Sequence, residues 1–166
     1  MIPNFIVITL TAIIPMLMSF IYYHPKVFGN VWMKAAQVTE EQLKKSNTVV
    51  IFIAALILSF FIAFSLFQFT VHQTDYYSLL VNEPGFGEEG SAIMTQIAAF
   101  METYGGSFRT FKHGALHGGL IGVFFALPVL MINGLFEAKG FKYGIINGGY
   151  WIITLALMGG AVCQWG

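Results

Sequence analysis

Four stretches of this chain, residues 2–23, 49–70, 115–136 and 144–165, contain no Asp, Glu, Lys or Arg. Crossing a hydrocarbon core of ~30 Å as a helix takes about 20 apolar residues, and each stretch meets that length. A charge at mid-bilayer would cost about 2.5–3.5 kcal/mol, so these runs suit lipid. One of them alone could be the buried helix of a water-soluble core. Four in 166 residues leave too little polar surface, since only 10% of the chain is charged and soluble domains carry about 25%. The reading is an all-α integral membrane bundle of four transmembrane helices, one domain spanning 1–166.

Net charge is zero, which excludes the clustered Lys and Arg that nucleic-acid binding needs. Cys163 is the single cysteine, so neither an internal disulfide nor a Cys-x-x-Cys pair is available. The N-terminal run has no basic n-region or small-x-small cleavage site and is expected to remain as a span. Lys26, Lys34, Lys44 and Lys45 fall in the first loop, Lys139 and Lys142 in the third, and Arg109 and Lys112 in the second. Because basic loops are retained in the cytoplasm, both termini and the loop at 71–112 are expected on the non-cytoplasmic side of a bacterial inner membrane.

Pro15 predicts a kink in the first helix, which ends at the interfacial sequence Tyr22-Tyr23-His24-Pro25. Thr39-Glu40-Glu41-Gln42 reads as a capping box. No Gly or Pro lies between positions 39 and 81, so the second helix is expected to overrun the bilayer at both ends. In the long loop Ile93, Ile97, Phe100, Met101 and Tyr104 recur at helical spacing before Gly105-Gly106. They predict an amphipathic helix that rests on the bilayer, caps the bundle or meets another subunit.

Gly114, Gly118 and Gly122 clear one ridge of the third helix, and Gly144, Gly148 and Gly160 do the same on the fourth. Small-residue ridges let backbones approach where lipid provides no hydrophobic drive. They predict a tight hairpin of these helices or a subunit interface. Asn133 and Asn147 lie at similar depth on either side of the third loop and are candidates for a mutual hydrogen bond. Glu137 is expected in an interfacial ion pair with Lys139 or Lys142; with Tyr150 it is also a candidate to line a polar path. His113 and His117 are spaced i, i+4, and the topology brings His72 to the same outer interface. Imidazoles so gathered could hold zinc or copper, or haem if paired across the bundle, with Cys163, Asp75 and Glu102 nearby. No nucleotide loop, nucleophile elbow or zinc-protease helix is present, so no catalytic site is expected, and no cofactor is required.

Tyr23-His24-Pro25-Lys26-Val27-Phe28-Gly29, Trp32-Met33 and Thr39-Glu40-Glu41 form one group of motifs in the first half, and a second group follows in the second half. The second group is Pro128, Asn133-Gly134-Leu135-Phe136-Glu137, Ile146-Asn147-Gly148-Gly149-Tyr150, Met158-Gly159 and Trp165. In order and spacing the set resembles a bacterial membrane-protein family catalogued as domain of unknown function 1761. The resemblance implies four spans and no reaction; the long second loop departs from it. Packing motifs without reaction chemistry lead to the expectation of an accessory or scaffold subunit of an envelope complex, or a small homo-oligomer. Transport through an oligomer and a metal or haem site at the outer face are the alternatives. The expected partners are the bilayer and other membrane subunits or further copies.

Overall fold

The computed structural model describes residues 2–166. Among the described residues there are ten α-helices, six of which build four spans. Span 1 (Phe5–Tyr22) consists of α1 (Phe5–Thr11) and α2 (Ile14–Tyr22), and span 2 is α5 (Thr48–Thr70). Span 3 (Phe111–Phe136) joins α8 (Phe111–Ile121) to α9 (Leu127–Phe136), and span 4 is α10 (Gly140–Trp165). The first loop folds into α3 (Asn30–Ala36) and α4 (Glu40–Lys45), the second into α6 (Gln73–Leu80) and α7 (Ala92–Tyr104). The chain is thus a multi-pass, all-helical membrane protein.

Span 4 is the central helix: half of its apolar window is buried, against 17% for span 2 and 11% for span 3. It touches all three other spans. Its glycines explain why. A Cβ on Gly118 would lie 2.7 Å from the Leu155 carbonyl carbon, and one on Gly122 would lie 2.6 Å from the Ile152 Cα. From the other side, a Cβ on Gly144 would meet Met131 and one on Gly148 would meet Leu127. Gly114 backs onto Gly159, and Gly160 makes room for the Phe111 ring. All six glycines of the two ridges are therefore occupied within the hairpin of spans 3 and 4. The turn between them is closed by Ala138 in the left-handed region (φ 56°), with Lys139 N–H donating to Gly134 O at 2.9 Å.

Pro15 breaks span 1 as its position predicts: α1 stops at Thr11 and α2 resumes at Ile14. Span 3 carries a wide turn of π-helix over Gly122–Ala126. Pro128 follows it and has no N–H to return to Phe124 O, four residues back, so the ladder must widen there. Span 2 does not overrun the bilayer as one helix. Asn47 caps α5 by accepting from Val50 N–H at 3.2 Å, and the chain turns again at Val71 and His72. The capping box at Thr39 and Gln42 is formed, but it starts the short α4. The polar Ser46 and Asn47 compete for backbone groups here and separate α4 from α5 without Gly or Pro.

The second loop forms a hairpin of α6 and α7. Tyr76 stacks on Phe100 at 3.9 Å, and Ile97 is buried. Gln73 Nε2 donates to Tyr104 O and Ser107 O, both at 2.9 Å, which fixes the far end of α7 to the start of α6. The amphipathic helix therefore packs on α6.

Candidate metal centre

His72 sits at the turn from span 2 into α6, while His113 and His117 occupy the first two turns of span 3. Thr110 sets the phase of the latter pair: in extended backbone, its hydroxyl accepts from His113 N–H at 3.2 Å and starts the helix there. With 3.6 residues per turn, His113 and His117 then share a face. Their ring centroids are 4.5 Å apart, and each lies 5.0 Å from that of His72. One ring nitrogen from each comes within 4.8 Å of the other two. The Nε2 atoms of His72 and His113 are 2.9 Å apart, a hydrogen bond in which one ring donates and the other accepts.

These dimensions fit a bare transition-metal ion. Metal–nitrogen bonds of about 2.0–2.1 Å in tetrahedral array put ligand nitrogens roughly 3.4 Å from one another. That spacing falls between the close pair and the widest separation here, so rotation of the imidazoles suffices. Haem fits less well. An iron porphyrin needs its axial imidazoles on opposite sides of a plane, and here two nitrogens face each other at hydrogen-bond distance. His113 and His117 are half-buried and His72 is exposed, leaving one side open to exchange.

The surrounding shell brings residues whose part was not evident from spacing. Phe108 stands in the left-handed region (φ 60°) with its ring 5.1 Å from that of His113 and 6.4 Å from that of His72. Cys163 is fully buried, its Sγ 3.3 Å from Thr70 O and 3.4 Å from Phe108 O. Its single proton can serve either carbonyl. The thiol is therefore not a fourth ligand; it ties span 4 to the two segments that carry His72 and Phe108. Neither Asp75 nor Glu102 joins the ligand group among the described residues. Arg109 reaches the Gly166 carbonyl and lies over the Phe67 ring at 6.0 Å.

Elsewhere the polar residues are arranged differently from the sequence expectation. Asn133 and Asn147 do not pair. Asn147 Oδ1 accepts from Tyr23 O–H and its Nδ2 donates to Tyr143 O, both at 2.8 Å, whereas Asn133 lies exposed on span 3. The tyrosine at the end of span 1 is the nearer partner and takes the amide. Tyr150 is buried and its hydroxyl donates to Pro15 O at 2.7 Å, so it fastens span 1 to span 4. Glu137 pairs with Lys139 at 2.8 Å, and that contact holds the Lys139 ammonium above its ordinary pKa.

No curated protein and no solved structure matches the chain. A family model described as "Protein of unknown function (DUF1761)" matches residues 6–163. That match covers spans 2 and 3 entirely, all but one residue of span 1 and all but two of span 4, together with the three imidazoles, and on it the chain belongs to this family.

Proposed function

We propose that the protein binds a transition-metal ion reversibly at one face of the membrane through His72, His113 and His117. The observation that carries this reading is the convergence of three ring nitrogens within 4.8 Å, two from span 3 and one from the turn that follows span 2. Imidazole suits zinc and copper, and three ligands with an open position suit an ion that must enter and leave. The group lacks a carboxylate to serve as acid or base, which favours holding and passing on the ion over catalysis. Counting lysines puts loops one and three in the cytoplasm, so the centre faces the opposite side of the inner membrane. An accessory-subunit role rests on the glycine ridges, the amphipathic helix of the second loop and the charge-free membrane interior. Those ridges are filled within the chain and give no reason for a second subunit.

The test is a titration of chelator-stripped protein in detergent with Zn²⁺ and, separately, with copper. The expected stoichiometry is one ion per chain. Replacing any one of the three histidines by Ala is expected to weaken binding by at least ~100-fold, beyond what loss of a ligand's supporting contact does. Unchanged binding by the triple variant would refute the assignment.

A further inference from the structure

The first loop takes no part in the metal centre and lies at the opposite end of the bundle. Residues between 23 and 44 line an open groove of about 370 Å³. Tyr23, Trp32, Met33 and Leu43 supply aromatic and apolar wall, and Glu40 and Lys44 also line it. The wall is held in place from several sides. His24 is extended ahead of Pro25 and its Nδ1 accepts from Lys26 N–H, starting a wide turn that ends at Gly29. A Cβ on Gly29 would lie 3.0 Å from the His24 carbonyl carbon, so the turn closes only around glycine. Tyr22 stacks on Phe28 at 4.6 Å, and Tyr23 is fixed by its hydrogen bond to Asn147. The Trp32 ring meets that of Tyr23 at 5.3 Å, inclined by 60°.

Position and charge say what such a groove meets. It opens where span 1 ends at Tyr22, which is headgroup depth, where Tyr and Trp characteristically sit. Its two ionic side chains have opposite sign and stand 3.7 Å apart, at the long limit of an ion pair. Both are mostly exposed, 72% for Glu40 and 78% for Lys44, so their mutual attraction is weak and easily exchanged for another partner. A ligand carrying one ammonium and one phosphate matches them in sign. The ring faces add cation–π attraction for the ammonium. A free anion would find no use for the aromatic wall.

We propose that this groove binds the headgroup of an ethanolamine phospholipid, its ammonium against Tyr23, Trp32 and the Glu40 carboxylate, its phosphate on Lys44. A primary ammonium is preferred over a trimethylated one because it keeps N–H groups to donate to Glu40. Lys26, Lys34 and Lys45 in the same loop add a general pull on phosphate that does not discriminate between headgroups.

The experiment is native mass spectrometry of the full chain in detergent, offered equal amounts of phosphatidylethanolamine, phosphatidylcholine and phosphatidylglycerol. A parallel arm adds free phosphoethanolamine as competitor. The expected result is preferential retention of phosphatidylethanolamine, reduced about fivefold in E40Q and in W32L, as loss of one contact of cation–π size predicts. Free phosphoethanolamine is expected not to compete. Equal retention of phosphatidylglycerol or phosphatidylcholine, wild-type retention by E40Q, or full competition by the soluble headgroup would overturn the proposal. Glu40 is exposed on a short surface helix, so E40Q decides the matter even if W32L fails to fold.

Discussion

Phe108 holds its backbone at φ 60°, a conformation that costs a residue with a Cβ about 1–2 kcal/mol. The strain aims its carbonyl at the buried Cys163 thiol and lays its ring beside His113 and His72. Cys163 thus supports the proposed centre through backbone, as a positioning residue. Cys163→Ala is expected to weaken metal affinity about tenfold while leaving the stoichiometry at one ion, as removal of a supporting contact does. A competition titration against a chromophoric chelator measures both quantities together. Loss of stoichiometry would make the thiol a ligand, against its placement between two carbonyls. The three histidines were legible in the sequence because i, i+4 spacing and span topology both constrain them. Phe108 was not, because nothing in a side chain announces a left-handed backbone when the residue is neither Gly nor Asn. Asn133 was misread because its depth matches that of Asn147 while its face does not.

At the scale of elements, the hairpin of spans 3 and 4 rests on backbone meeting backbone. Gly118 and Gly119 are neighbours in sequence yet differ in kind. A methyl at Gly118 would meet the Leu155 carbonyl and lie 3.2 Å from the Ala156 Cα, whereas at Gly119 it would find only the Ala156 Cβ at 3.8 Å. Gly118→Ala is expected to destabilise the protein by about 1–3 kcal/mol, the usual cost of overpacking. Gly119→Ala should be neutral or slightly stabilising, since it gains helix propensity. Thermal unfolding in detergent compares the two; equal midpoints would remove the hairpin from the account. Four-residue glycine spacing located this ridge in the sequence, because small residues at that interval leave a continuous groove. It did not say whether the groove was filled by the same chain. The π turn at Gly122–Ala126 and the break at Ser46-Asn47 escaped detection for a related reason: each is settled by a local contest for one or two backbone hydrogen bonds, which periodicity does not register.

The whole molecule is a three-helix cradle around span 4, and the two proposed sites lie at its two ends. Charge-free runs and their lengths make the four spans legible in the sequence, since few other structures satisfy so much apolar chain. Membership of the DUF1761 family agrees with that architecture and adds no reaction to it. On the proposed orientation, the imidazoles open to the outside and the aromatic groove of loop one to the cytoplasmic leaflet. Both sites touch span 4, the former through Cys163 and the latter through Asn147.

The most direct measurement is X-ray absorption at the metal edge on protein reconstituted in lipid and loaded with one equivalent of Zn²⁺. Three imidazole nitrogens at about 2.0–2.1 Å, with one oxygen from solvent, are predicted. A shell of oxygens alone, or of sulfur at about 2.3 Å, would contradict the centre formed by His72, His113 and His117.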